Sequence, residues 1–319
     1  MQSPGCSKIW ANPIPYVFYR RGPRFFKTFY KVNTGVGRNT VTASLISREL
    51  RDAVSTATCR AMRNAELYLP PDVMSAIRKA SERETNPVAK RELENILENI
   101  GRAEECSLPL CQDTGIPVIY LTVPPAVPFC EDLLEGVRDG IRTATGCVPL
   151  RPNVVDPLTR ENSNDNTGEG MPSIHARPGK ELSVTVLPKG AGAENMSRVA
   201  MLLPTGQHLI RKFVAETMLL AGGRPCPPVI LGVGIGGSFD QAASMAKEAL
   251  LLPVDRMDPL EQELCDTVNR LGIGPMGLGG DTTALAVKVK KAGCHTASLP
   301  VAVNVQCWAS RRATEVIDL

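Results

Sequence analysis

Pro225-Cys-Pro-Pro-Val-Ile-Leu-Gly-Val-Gly-Ile-Gly-Gly-Ser238 is the stretch whose reading decides the fold. Val229–Ile235 is a short apolar run after two prolines, the pattern of a buried strand, and a helical pattern runs from Ser238 to Leu252. At their junction Gly232-Val-Gly-Ile-Gly-Gly237 matches G-x-G-x-x-G, so a dinucleotide-binding turn is one candidate. That fold needs a second parallel strand after the helix, ending in the acidic residue that holds a ribose. Here Pro253 follows the helix and another helix opens near Asp258, which leaves Asp255 on no visible strand. The glycines keep a second use: they let backbone approach another element, or an anion at the N-terminal end of the helix.

Outward from this stretch, the chain predicts an α/β fold of mixed α+β character. N-terminal helices come first, over Ala43–Leu69, from Pro70-Pro71-Asp72 onward, and from Asn86-Pro87 through Val88–Ala103. Three helices ahead of any strand suggest a cap or lid on the later sheet layers. Strands are expected at Ile116–Val123, Leu182–Leu187, Leu285–Val289 and Leu299–Val305, with flanking helices at Glu131–Thr145, His208–Leu220 and Leu260–Leu271. Between Arg151 and His175 lies a polar Asn/Asp/Gly-rich stretch, and a loop of that length is more often functional than idle.

Composition bounds the function. Hydrophobic content of 43% and 22% charged residues describe an ordinary globular chain, and no apolar run reaches the roughly 20 residues of a membrane span. The first 40 residues hold seven of the 36 Lys/Arg, none of the 33 Asp/Glu, and eight of the 14 aromatic residues. Residues 1–40 therefore read as a basic, aromatic-rich extension or targeting arm. The remaining 279 carry 29 basic against 33 acidic residues, which gives no reason to expect a nucleic-acid partner. The ten cysteines are scattered, without Cys-x-x-Cys, so neither a zinc ribbon nor a disulfide scaffold is expected. A reducing, cytoplasmic setting with free thiols is.

Three polar loops carry the chemistry. Pro109-Leu-Cys-Gln-Asp-Thr-Gly115 sets a soft metal ligand, an amide and a carboxylate in a row before a strand, although Cys111 alone also suits a small buried cysteine beside a turn-forming Asp. Lys189-Gly-Ala-Gly-Ala-Glu-Asn195 is a glycine turn whose N–H groups and lysine suit a carboxylate. Gly274-Pro-Met-Gly-Leu-Gly-Gly-Asp-Thr-Thr283 imitates a phosphate loop, but Asp281 stands where such a loop needs lysine.

Four segments, Leu110–Gly115, Leu187–Ser197, Pro225–Gly237 and Ala297-Ser-Leu-Pro-Val-Ala-Val-Asn-Val-Gln-Cys-Trp308, together resemble, in order and spacing, the alpha subunit of the two-subunit iron–sulfur hydro-lyases. That family comprises the class I fumarate hydratases and the L(+)-tartrate dehydratases. The resemblance covers about residues 42–319 and implies one catalytic domain over 41–319 beyond the extension. It implies that Cys111, Cys226 and Cys307 hold a 4Fe-4S cluster with one iron open to substrate, instead of the four cysteines usual for electron transfer. Cys294, beside His295, is then the structural cysteine. Gln112 matches a substrate-carboxylate contact, Asp113 an acid/base group at the leaving hydroxyl, Arg151 a carboxylate-gripping arginine, and Lys189, Gly190 and Gly192 further substrate contacts. His295, 12 residues before Cys307, matches a catalytic histidine that orients Asp113.

The implied reaction is reversible hydration of fumarate to malate, with dehydration of L(+)-tartrate to oxaloacetate as the alternative. The base that takes the carbon-bound proton lies, in that family, in a second domain or beta subunit. The expectation is therefore an obligate beta partner in an α2β2 assembly, acting on a small dicarboxylate. An NAD-dependent oxidoreductase using Gly232–Gly237, and a non-catalytic iron–sulfur carrier, are the rival readings.

Overall fold

Proline at the first helical position, where its missing N–H is no loss, starts both α2 (Pro71–Arg83) and α3 (Pro87–Cys106). Asn86 caps α3 by accepting from the N–H groups of Val88 and Ala89. The computed structural model describes residues 39–318, beginning with α1 (Asn39–Leu67). The extension assigned to residues 1–40 lies outside the described residues as far as residue 38. No described helix is long and apolar enough to cross a membrane.

The strands form two mixed sheets. In the first, the order is β2-β1-β3-β8: β1 (Ile116–Val123) pairs in parallel with β2 (Ser173–Pro178) and antiparallel with β3 (Ser183–Lys189), which pairs antiparallel with β8 (Ala313–Val316). In the second, the order is β4-β7-β5-β6. There β5 (Val229–Ile235) runs parallel to β6 (Ala284–Lys291) and antiparallel to β7 (Leu299–Gln306), and β7 pairs with β4 (Arg198–Leu202). The expected α/β class with mixed sheets flanked by helices is what the chain adopts, and every predicted element exists.

The N-terminal helices are core layers and not a lid. Along β1, Ile119 and Leu121 face a cluster with Val54, Ala61 and Met62 of α1 and Leu133, Val137 and Ile141 of α4 (Glu131–Cys147). Val118 and Tyr120 face the other way, into a cluster with Val73 and Ile77 of α2, Leu93 and Ile96 of α3, and Ile230 and Ala286 of the second sheet. A strand buried on both sides carries a continuous apolar run, which is why Ile116–Val123 was legible. On the second sheet, Leu231, Val233, Val303 and Val305 pack under α6 (His208–Ala221) and α8 (Pro259–Asn269).

Gly232 and Gly234 answer the dinucleotide question. A Cβ on either would overlap the backbone carbonyl of Ala246 or Ala242 in α7 (Phe239–Ala249), so their missing side chains let α7 lie directly on β5. The strand is also flanked by antiparallel β7, unlike the all-parallel centre of a doubly wound nucleotide fold.

Two glycine substitutions should therefore act with opposite sign. Gly232→Ala overpacks the α7–β5 contact and lowers stability by about 1–3 kcal/mol. Gly101→Ala, inside α3 with nothing within 4 Å of the new Cβ, raises it by about 1 kcal/mol. Urea denaturation of the two variants beside wild type measures both.

Candidate active site

The β1–β3 ladder pairs Ile116 with Lys189 at its last rung. One residue earlier, Gly115 sits at φ +68°, and a Cβ there would come within 2.6 Å of the Lys189 carbonyl carbon. Glycine is thus required for the 110–115 loop to lie against the turn that follows β3. The contact brings Asp113 to the first residues of the short helix α5 (Ala191–Glu194). Its Oδ2 accepts from Ala191 N–H at 2.8 Å and its Oδ1 from Gly115 N–H at 2.9 Å. Gly190 lies beside the same carboxylate, where a Cβ would be 3.0 Å from Oδ2.

Across the cleft, the chain after α4 is fixed through its backbone. Arg151 N–H donates to Thr114 Oγ1 at 3.0 Å, Asn166 Nδ2 donates to the Arg151 carbonyl at 3.0 Å, and Asn153 Nδ2 donates to the Gly115 carbonyl at 2.8 Å. The polar 151–175 stretch thus has two roles. Its Asx turns, as at Asp156 and Asp165, shape the loop, while Arg151 and Asn153 reach a cavity. That cavity, about 540 Å³, is lined by Gln112, Asp113, Arg151, Asn153, Lys189 and Glu194 among others. Gln112 and Arg151 are exposed, and neither side chain is bonded to protein among the described residues, so an amide and a guanidinium are free to meet a ligand.

Lys189 is differently placed. Its side chain is fully buried, and Nζ donates to the Val305 carbonyl and Gln306 Oε1 while pairing with Glu194 Oε2 at 3.3 Å. With all three N–H groups directed at protein, it lends the cavity charge and not a direct bond. Burial holds its pKa down at about 8, against the upward pull of Glu194. Glu194 is shared with Lys247 and Asn304. Burial pushes its carboxyl up, but the two lysines outweigh that and bring it below the usual range.

The three cysteines arrive on three separate segments. Cys111 sits in the loop before β1. Cys226 holds φ +54° ahead of Pro227-Pro228 and β5, and Cys307 follows β7. Trp308 N–H donates to the Cys226 carbonyl at 3.3 Å, stitching two of these segments together. Burial raises the thiol pKa of Cys226 and of Cys307. Cys111 is near enough to raise both further, while Arg311 and Lys189 draw Cys307 down. Among the described residues, no three His, Cys, Asp or Glu side chains converge closely enough to hold a single metal ion.

Other expected residues lie apart. His295 is exposed outside the cavity lining, its Nδ1 accepting from Ala297 N–H at 3.0 Å, and Cys294 beside it is exposed and free. Gly192 is exposed beyond the lining as well. The Gly274–Thr283 loop has its anion already: the buried Glu84 carboxylate accepts from the N–H groups of Asp281 and Thr282 at 2.9–3.1 Å. Glu194 and Asn153 were not singled out beforehand, although both stand within quoted or adjoining motif segments.

Comparison with known proteins gives the family of the chain. The family model described as fumarate hydratase (fumerase) matches residues 55–316. A Methanocaldococcus jannaschii protein provisionally named L(+)-tartrate dehydratase subunit alpha is 46% identical over 83% of this chain and 98% of its own. A Geobacillus stearothermophilus protein provisionally named class I fumarate hydratase is 39% identical over 78% of this chain. The match spans about half, 52%, of that relative's length. The L(+)-tartrate dehydratase subunit alpha of Escherichia coli UTI89 is 32% identical over 77% of this chain and 84% of its own. A chain matched over most of its length by the family model, with relatives named for adding or removing water, belongs to the fumarate hydratase (fumerase) family of hydro-lyases.

Proposed function

We propose that residues 41–319 form the alpha subunit of an iron–sulfur hydro-lyase that interconverts fumarate and malate in the cytoplasm, together with a beta subunit. The observation that carries this reading is one cavity with a free guanidinium, a free amide and an anchored carboxylate, beside which three cysteine segments meet. L(+)-tartrate is the second substrate reading, favoured by the name of the Methanocaldococcus relative, nearly all of whose length aligns.

The donor set suits a 4Fe-4S cluster held by Cys111, Cys226 and Cys307. Such a cluster binds each cysteine at a different iron, so its thiols need not converge on one point. Arg311 and Lys189, alongside Cys307, provide countercharge for thiolates. When bound, the cluster supplies a Lewis-acid iron for the hydroxyl and one carboxylate of the substrate.

The remaining roles fall to side chains. Arg151 grips a substrate carboxylate with its planar fork, and Gln112 donates an amide hydrogen bond to the same end. Asp113, fixed by two backbone N–H groups, gives its proton to the departing hydroxyl in dehydration and takes one from water in hydration. Gly190 keeps the approach to Asp113 open, Gly192 belongs to the same turn, and Lys189 contributes positive charge. His295, on the 292–298 segment outside the cavity lining, is assigned the orienting of Asp113 on the resemblance alone. The carbon-bound proton is taken by a base of the beta subunit, in an α2β2 assembly.

Anaerobically purified protein should carry about four irons and matching sulfide per chain. Cys111→Ser, Cys226→Ser and Cys307→Ser should lose them, and Cys294→Ser should retain them; an iron-free wild type after anaerobic reconstitution would overturn the proposal. With the beta subunit added, Arg151→Ala should raise KM for the dicarboxylate by about 10–100-fold, with only partial recovery in Arg151→Lys. Assays on fumarate, malate and L(+)-tartrate decide the substrate. Lys189 gives a pH signature in the metal-free chain. Its folded pKa lies below the unfolded value, so the unfolded state binds the extra proton between pH 8 and pH 10.5. Over that window wild type should gain stability with rising pH relative to Lys189→Met, and parallel curves would show that the lysine titrates normally.

A further inference from the structure

Arg311 is one of the largest fully buried side chains among the described residues, at 1% exposure, and its partner Glu66, near the end of α1, is at 0%. NH1 donates to Glu66 Oε2 at 2.7 Å, and NH2 donates to the main-chain carbonyl of Asp113 at 2.9 Å. Arg311 Nε and Glu66 Oε1, both out of reach of solvent, have no hydrogen-bond partner among the described residues. An ion pair withdrawn from water and left incompletely satisfied is a poor way to stabilise a core, and a well-packed apolar pair of similar volume commonly does as well. The pair therefore calls for a reason beyond stability.

The reason is where its second arm goes. Leu110 N–H donates to the Glu66 main-chain carbonyl at 3.0 Å, and the Leu110 carbonyl accepts from Asn99 Nδ2 at 3.0 Å. At the other end of the loop, the Asp113 carbonyl is held by Arg311, itself held by the Glu66 carboxylate. Both main-chain groups that bracket Cys111 and Gln112 thus trace back to the same residue of α1. Arg311 also stands four residues after Cys307, and its positive charge interacts with Cys111, Cys307 and Asp113. One guanidinium fork consequently ties the end of α1, the 110–113 loop and the segment after β7 into a single unit. A lysine carries its N–H groups on a single nitrogen and lacks the spread of the planar fork, whose separate nitrogens reach the carboxylate and the carbonyl.

We propose that Arg311, anchored by Glu66, is the positioning residue of the Cys111–Asp113 loop: it fixes the loop that carries the first cluster cysteine and the acid/base carboxylate, and touches neither substrate nor cluster. This rests on the roles given above to Cys111 and Asp113. The test separates the two claims, because its main readout is taken on the metal-free chain.

The experiment compares wild type, the volume-matched double variant Glu66→Leu/Arg311→Met, and Arg311→Lys. Amide hydrogen exchange is followed for the peptide spanning residues 108–115, with β5 as internal reference. The expected result is a melting temperature for the double variant near that of wild type, with exchange in 108–115 faster by about tenfold or more and β5 unchanged. Reconstituted with iron and sulfide and assayed with the beta subunit, the variants should hold iron less long than wild type. Their kcat should fall by about 100-fold, with a smaller rise in KM, because Gln112 and the Thr114 hydroxyl that supports Arg151 lie on the loosened loop. Exchange in 108–115 within twofold of wild type in the variants, whatever their melting temperature or activity, would overturn the proposal. If the double variant does not accumulate as folded protein, Arg311→Lys decides by the same readout. Wild type that takes up no iron would remove the cluster reading while leaving the exchange result to stand alone.

Discussion

The close approach of Gly115 to the Lys189 backbone, at the end of the β1–β3 ladder, is the constraint on which the site depends. It joins Gly115 and Lys189, 74 positions apart in sequence. Without it the Asp113 carboxylate would not reach Ala191 N–H, and the cavity between the 110–115 loop and the Lys189–Asn195 turn would not close on that side. The ladder itself is secured by burial on both faces of β1, with α1 and α4 on one side and α2 and α3 on the other. The helical layers thus hold the strand whose end presents the chemistry.

Charge is concentrated around that junction and compensated locally. Lys189, Glu194 and Lys247 form one linked set, and Glu66 and Arg311 another. Burial alone would neutralise these groups; for Glu66 it pushes the carboxyl up to about 7 even beside Arg311. Two positively charged side chains, Lys189 and Arg311, sit near Cys307, where thiolates bearing a cofactor's negative charge would need them. Arg151, by contrast, keeps its side chain free while its backbone is pinned by Thr114 and Asn166. Buried, paired charges set the frame, and an exposed, unengaged one is left at the cavity.

The three glycine turns share sequence features and differ in what occupies them. The glycine run at 232–237 has the spacing of a dinucleotide turn, yet the space its first two glycines leave open is taken by α7. The loop at 274–283 has the glycines of an anion cradle, yet Glu84 of the same chain supplies the anion. The turn at 189–195 looked no more distinctive, but its Ala191 N–H donates to Asp113 at the edge of an open cavity.

The sequence by itself determined the helices, the buried strands and part of the cavity lining, with Gln112, Asp113, Arg151 and Lys189 among it. Two-sided burial writes a continuous apolar run, and the Cys111-Gln-Asp-Thr-Gly115 segment carries its polar groups at fixed offsets. It did not reveal β2, β4 or β8, all of them edge strands. Ser173–Pro178 is polar and half exposed, and one unpaired, solvent-facing side removes the apolar signal. Only the tertiary structure decided that Lys189 spends its N–H groups on protein, that His295 stands outside the cavity, and that Glu66 and Arg311 reach the Asp113 loop. Each of these depends on contacts between residues more than a hundred positions apart or on the placement of a whole segment, and local spacing encodes neither.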